Sequence, residues 1–279
     1  MLTVLDGPLG TELSLRGVDT RLPLWSARAL LEAPERVAEV HRAYAEAGAT
    51  VHTTNTFRTR RETLGDAWAA EARHAVRLCR EAIAPGHRVA GGLAPLADCY
   101  RPDLSPATED PKGTRTAHRA LADVLAEDCD LLLCETFPHA DEALLAVEAA
   151  VATGRETWLA LTAGPDADLM TPEGMGRVAR RAADAGAAAV LVNCISVPAT
   201  AAFVAALAAA APDVPVGAYA NAGRPDEGIG WEGAPEPGAR AYAGVAESWV
   251  AQGASIIGGC CGTGPAHVAA LAMTLGGPA

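Results

Sequence analysis

Short apolar runs alternate with helix-patterned stretches from one end of the chain to the other. Eight runs read as strands: residues 2–5, 49–57, 88–93, 130–135, 157–162, 188–193, 216–220 and 255–258. Val, Leu, Ile and Ala fill them without strict apolar–polar alternation, as expected of strands buried on both faces. Between them the apolar spacing lengthens to that of a helix. Residues 34–47 place Val37, Val40, Tyr44 and Ala47 on one face, and residues 69–83, 114–127, 140–152, 172–185, 199–210, 239–252 and 265–275 follow suit. Pro172 and Pro265 stand where a first helical turn tolerates proline. Gly48, Gly186 and Gly253 each stand where a helix ends and the next strand begins, as left-handed C-caps.

Eight strands, each followed by a helix, predict an α/β fold of the (β/α)8 barrel type, with one domain spanning residues 1–279. An open, doubly wound sheet is the rival. It would be helped by a glycine-rich phosphate loop after the first strand, and Gly7-Pro8-Leu9-Gly10 is not that fingerprint. Two stretches read as long loops, residues 98–112 and 221–238. Loops of that length in a compact domain are often functional.

Composition narrows the function classes. Half of the 279 residues are hydrophobic but only 4% are aromatic, which suits small aliphatic side chains packed between helices and parallel strands. The net charge of −12 and the lack of a dense basic patch argue against nucleic acid as a partner. No apolar run is long enough to span a bilayer, so no membrane association is expected. Residues 1–15 lack a charged start followed by an apolar run, so no signal peptide is expected and the protein reads as cytoplasmic. Seven cysteines in such a chain are better read as small buried residues, nucleophiles or metal ligands than as a disulfide framework.

In a barrel of this kind the reacting groups sit at the carboxyl ends of the strands. Six of the eight predicted strand ends carry acid, amide or thiol groups: Asp6, Thr54-Asn55, Cys134-Glu135, Asn193-Cys194, Asn221 and Cys260-Cys261. That concentration points to an enzyme. Cys79, Cys99, Cys129 and Cys134 fall on helix faces, in a loop or on the outward side of a strand, and are read as structural. Cys194, Cys260 and Cys261 all fall at strand ends. The flanking Gly258, Gly259 and Gly262 are expected to let the backbone bend until both adjacent thiols face one point. Three convergent thiolates suit zinc and leave a fourth tetrahedral position open, the mark of a catalytic site. A redox disulfide between the vicinal pair is the competing reading. A soft thiolate site would accept a substrate thiol in the open position and keep it as a nucleophilic thiolate near neutral pH.

Several motifs occur in one order across nearly the whole chain: Asp6-Gly7-Pro8-Leu9-Gly10-Thr11-Glu12-Leu13, Leu24-Trp25-Ser26-Ala27, Thr54-Asn55-Thr56-Phe57, Glu135-Thr136-Phe137, Val192-Asn193-Cys194, and Gly258-Gly259-Cys260-Cys261-Gly262-Thr263-Gly264-Pro265, which runs on to His267. On these residues the chain resembles the homocysteine S-methyltransferases, zinc-dependent enzymes that use betaine, S-methylmethionine or methylfolate. The resemblance implies Zn2+ on Cys194, Cys260 and Cys261, and Asp6 and Glu135 as the catalytic-site carboxylates that hold the amino group of homocysteine. It also implies Thr54 and Asn55 in the amino-acid pocket. Trp25 is implied on the donor side, where an indole face attracts a cationic methyl donor, and Trp231 is a second candidate for that role. His267 is expected to be structural.

The expected partners are homocysteine and a small methyl donor: S-methylmethionine, S-adenosylmethionine or betaine. The sequence leaves homo-oligomerisation open. Pro8, Leu9 and the short segment after Pro95 depart from the family's usual pattern, and Ala220-Asn221-Ala222-Gly223 varies its Pro-Asn-Ser-Gly. These departures bear on the donor. A non-catalytic zinc- or thiol-sensing barrel and a methyltransferase for another thiol or a selenol are the alternatives.

Overall fold

A computed structural model describes residues 2–222 and 235–276. The strands are β1 (Thr3–Val4), β2 (Val51–Thr53), β3 (Arg88–Leu93), β4 (Leu131–Phe137), β5 (Glu156–Leu161), β6 (Ala189–Ser196), β7 (Val216–Asn221) and β8 (Ala254–Gly259). They form one parallel sheet in the order β1-β8-β7-β6-β5-β4-β3-β2. The ends meet through the parallel bridge Leu5–Val51, with Thr50 N–H donating to the Val4 carbonyl at 2.9 Å and Asp6 N–H to the Val51 carbonyl at 3.0 Å. The sheet is therefore a barrel, and the expected (β/α)8 fold is what the chain adopts.

The helices are α1 (Leu9–Leu15), α2 (Arg28–Glu32), α3 (Pro34–Glu46), α4 (Arg61–Leu64), α5 (Trp68–Ala82), α6 (Pro111–Ala126), α7 (Ala140–Val151), α8 (Pro172–Asp184), α9 (Val197–Ala210), α10 (Pro235–Ala251) and α11 (Pro265–Leu275). All eight patterned helices are present. Gly48, Gly186 and Gly253 take φ of +100°, +103° and +109°, the left-handed caps expected of them. Three short helices, α1, α2 and α4, are additions, since four to seven residues carry too little periodicity to be read. α10 begins at Pro235, inside the stretch read as loop. The rest of that loop, with Trp231, lies outside the described residues. No helix among the described residues is long and apolar enough to cross a membrane.

Alternation along the strands divides the core in two. Leu131, Leu133, Ala160, Leu191, Tyr219 and Ile256 point into the barrel, while Leu132, Cys134, Leu159 and Val192 point out against the helices. The barrel is thus a packed interior, not a pore. The cavity described next sits above it, at the carboxyl ends of the strands.

Candidate active site

The cavity has a volume of about 370 Å³. Asp6, Trp25, Thr54, Asn55, Glu135, Cys194, Cys260 and Cys261 all line it, so the expected metal-, homocysteine- and donor-side residues, Trp231 apart, meet at one place.

Two strand irregularities make this convergence happen. The pairing of β4 with β5 shifts register between Cys134 and Phe137, and that of β6 with β7 shifts between Asn193 and Ser196. Each bulge re-aims one side chain. Glu135 turns into the cavity while Cys134 stays in the outer core. Cys194 is carried over the mouth at φ +53°, a conformation with no glycine to ease it. Four non-glycine residues among those described have positive φ, and three of them, Trp25, Thr136 and Cys194, line the cavity. A β-branched residue such as Thr136 rarely sits at φ +63°, and strain of this kind, about 1–3 kcal/mol each, collects where a site dictates the backbone. Asn193 Nδ2 holds Thr136 in place, donating to its Oγ1 at 2.7 Å.

The Cys260-Cys261 turn is clamped from several sides. Cys260 N–H donates to the Ala220 carbonyl at 2.9 Å, and Ala222 N–H donates to the Cys261 carbonyl at 2.9 Å. Thr263 Oγ1 donates to the Cys260 carbonyl at 2.8 Å, and Gly262 N–H donates to Thr11 Oγ1 at 3.2 Å. The Tyr242 hydroxyl, from α10, accepts from Ala220 N–H at 3.0 Å and donates to the Gly258 carbonyl at 2.9 Å, tying β7 to β8 just below the cysteines. Gly258 and Gly259 serve close approach rather than the expected bend. A Cβ on Gly258 would lie 2.6 Å from Leu5 Cβ, and one on Gly259 would lie 2.1 Å from Thr263 Oγ1. Of the flanking glycines, only Gly262 takes a positive φ, at +80°.

The sulfurs of Cys194, Cys260 and Cys261 lie within 4.8 Å of one another, and Cys194 Sγ is 3.8 Å from Cys261 Sγ. Zinc–sulfur bonds of about 2.3 Å at tetrahedral angles set sulfurs roughly 3.8 Å apart, so the residues fit a zinc ion. Without a cation the three thiols cannot all ionise. Hydrogen bonds to the other two thiols, then burial, push Cys194 up. On Cys260 the hydrogen bond with Cys194 lowers, but Cys261 and burial outweigh it and push the thiol up. Hydrogen bonds from those two pull Cys261 down. A divalent ion held by the three sulfurs would reverse that balance, since metal binding favours thiolates over thiols.

Asp6 and Glu135 have no ion-pair partner among the described residues. Burial pushes Asp6 up to about 8, outweighing the 2.8 Å hydrogen bond its Oδ2 accepts from Thr53 N–H. Burial, then the charges of Asp6 and Cys261, push Glu135 up to about 8. Behind Asp6 stand His41 and His52, with ligand atoms within 4.8 Å of it. Burial lowers His41 to about 3 and His52 to about 4, so both are neutral at pH 7 and lend Asp6 no charge. Gly92 keeps the space beside Glu135 open, since a Cβ there would lie 2.8 Å from Glu135 Oε1.

The other expected residues take supporting positions. Thr54 Oγ1 meets Thr56 Oγ1 at 2.7 Å and accepts from Gly92 N–H at 3.2 Å. Asn55 Nδ2 donates to the Ser26 carbonyl at 2.9 Å, pinning the segment that carries Trp25. Trp25 meets Phe57 edge to face, ring centroids 5.3 Å apart. His267 Nδ1 accepts from Gly264 N–H at 3.2 Å, a cap on α11, as the structural reading expects.

Several cavity residues were not expected, Cys99, Tyr219 and Tyr100 among them. Cys99, read as an ordinary loop residue, lines the wall. Tyr219 caps the barrel interior beneath the cavity. Tyr100 reaches from the loop after β3 to place its hydroxyl 2.8 Å from Cys194 Sγ. Burial and the three cysteines push Tyr100 up, so it is a neutral phenol that can donate to a thiolate. Loop residues of this kind have no periodicity to announce them.

Glu142 of α7 fastens that loop. It accepts from Leu96 N–H at 2.7 Å and from Ser105 Oγ, and pairs with His118 Nε2 at 3.3 Å. Burial would raise its pKa, but the hydrogen bonds from His118, Leu96 and Ser105 outweigh burial and lower it. Its stabilising contribution is therefore present above the ordinary glutamate range and fades as pH falls through the lowered value. Glu142→Gln should lower stability at pH 7 by about 2–3 kcal/mol. Melting curves of both proteins from pH 7 down to pH 3 should show the gap narrowing at the acid end, and a gap independent of pH would contradict the charged clamp.

The sequence pattern of the family described as homocysteine S-methyltransferase matches residues 3–275. The chain belongs to the homocysteine S-methyltransferase family. It is thereby one of the methyl-transferring enzymes of class EC 2.1.1. It is 31% identical over 296 residues to the homocysteine S-methyltransferase of Escherichia coli strain K12, covering 97% of this chain and 94% of that one. It is 28% identical over 293 residues to the S-methylmethionine–homocysteine S-methyltransferase of Pongo abelii, covering 97% of this chain and 77% of the relative. Among solved structures, the metallated form of the homocysteine methyltransferase MmuM from Escherichia coli superposes with a TM-score of 0.80 at 28% identity, covering 97% of this chain and 95% of that one. The motifs that carry the family resemblance are the strand ends that build the cavity.

Proposed function

We propose that residues 1–279 act as one barrel domain that moves a methyl group from a small cationic donor, sulfonium or betaine-like, onto the sulfur of homocysteine, giving methionine. Cys194, Cys260 and Cys261 hold zinc in this reading. The observation that carries it is a juxtaposition: two desolvated carboxyls with no cation beside them among the described residues stand in the same small cavity as three convergent thiols. One substrate answers both, an amino acid with a thiol side chain. The family and the names of the relatives agree with that choice.

The protein groups then divide the work. Asp6 and Glu135 ionise as they take the substrate ammonium, because a cation in a water-poor mouth offsets their repulsion. Thr54 and Asn55 wall the amino-acid end. Zinc supplies Lewis acidity that keeps a thiol ionised near neutral pH. Tyr100 donates to Cys194, tempering the charge on that sulfur. Trp25, backed by Phe57, offers its π face to the cationic donor. Holding both substrates in line is most of what methyl transfer to sulfur requires.

The test is methionine formation from homocysteine with S-methylmethionine, S-adenosylmethionine, betaine and methylfolate in turn, using zinc-loaded protein. A sulfonium or betaine donor is expected to give methionine. No methionine with any of the four would overturn the proposal.

A further inference from the structure

Arg58 follows Phe57 in the loop after β2 and lines the cavity. Its guanidinium carbon stands over the Phe57 ring, 5.6 Å from the centroid, on the wall that Phe57 shares with Trp25. Its Nε is buried with no hydrogen-bond partner, and among the described residues the side chain has no ion pair. Asp98, also in the cavity wall, is exposed and accepts from Tyr100 N–H at 2.8 Å instead. Arg60, two residues further on, also leaves its Nε without a partner, but its Nη1 donates to the Pro95 carbonyl at 2.8 Å and it does not line the cavity, so among the described residues Arg58 is the guanidinium that faces it.

Arg58 is half-buried and its buried Nε has no acceptor, a costly arrangement, and the guanidinium's fork of donors matches a carboxylate. We infer that Arg58 receives the carboxylate of the methyl donor while Trp25 faces the donor's onium centre. This rests on the methyltransferase reading and deepens it. The homocysteine ammonium belongs to Asp6 and Glu135, whereas Arg58 belongs to the aromatic wall. The donor is therefore zwitterionic. A purely cationic donor meets Arg58 as a like charge with no compensating contact, so a net positive charge alone is selected against. Such selection combines an attractive and a repulsive element.

The test is calorimetric binding to zinc-loaded protein without turnover. S-methylmethionine and betaine are each compared with their methyl esters, on wild type, Arg58→Gln and Arg58→Lys. On wild type each acid should bind roughly 10- to 100-fold tighter than its ester, the range of a charge-assisted hydrogen-bonded pair. Arg58→Gln should erase that difference, Arg58→Lys should keep part of it, and homocysteine affinity should stay unchanged. Equal binding of acid and ester to wild type overturns the assignment, even if a variant fails to fold. So does loss of homocysteine affinity instead of donor affinity in Arg58→Gln, or absence of binding by both acids. Carboxylate-dependent binding without methionine formation would sink the methyltransferase reading and leave the assignment of Arg58 standing.

Discussion

Cys261→Ala is expected to lose the metal and, with it, methyl transfer. Structural zinc sites are worth about 10–16 kcal/mol, so removing one of three thiolates should cost roughly 3–5 kcal/mol, about a thousandfold in affinity. Cys194→Ala and Cys260→Ala should behave alike, because the three sulfurs lie within 4.8 Å of one another and act as a set. The controls are Cys79→Ala and Cys134→Ala. Both thiols are buried in the outer core, away from the cavity, so these variants should keep a full complement of zinc and lose only about 1–2 kcal/mol of stability. Metal analysis after dialysis separates the two groups. Zinc retained in full by a triple Cys194/Cys260/Cys261→Ala variant would remove the basis for the site.

The second large effect concerns Asp6 and Glu135. Asp6→Asn or Glu135→Gln should weaken homocysteine binding by about 2–5 kcal/mol, since each removes one partner of a buried charge pair. The substrate-free variants should nevertheless melt higher than wild type at neutral pH. Each carboxyl is raised from an ordinary value near 4 to about 8 by burial, so the folded protein holds protons that the unfolded chain releases. Its stability contribution is intact below pH 4 and is lost as pH rises toward 8. The stability gap between variant and wild type should therefore widen across that window, opposite in sign to the Glu142 clamp. Melting temperatures at pH 5 and pH 8 check it, and a gap that shrinks with rising pH would show that the carboxyls are not desolvated. A loss of function joined to a gain in stability is what a binding site built on unpaired charge predicts.

How far the sequence carried depended on whether a residue's neighbours in the chain shared its environment. The barrel was legible because strands buried on both faces and one-sided helices leave distinct periods, and β3 and α11 matched their expected bounds. The chemistry at strand ends was legible because the fold itself dictates where those ends converge. β2 was overread: residues 49–57 look like strand, but the strand spans Val51–Thr53, and past the last ladder bond, Thr54 N–H to the Ala90 carbonyl, threonine hydroxyls and the Gly92 carbonyl take over the hydrogen bonding. β6 was underread because a bulge at Cys194 interrupts the apolar pattern while pairing resumes at Ser196. Tyr100, Cys99 and Arg58 were missed for one reason. They sit on loops, and only the closed barrel brings those loops over the cysteines. The Gly258-Gly259 pair was assigned to the right place for the wrong cause. Leu5 and Thr263 crowd it from elements distant in sequence, which no local reading can anticipate.

One measurement addresses the centre of this account. X-ray absorption at the zinc edge counts the sulfurs around the metal with and without homocysteine. Three cysteine ligands and an open position predict a count of three sulfurs alone and four with homocysteine. A count that does not change when homocysteine is added would contradict the account.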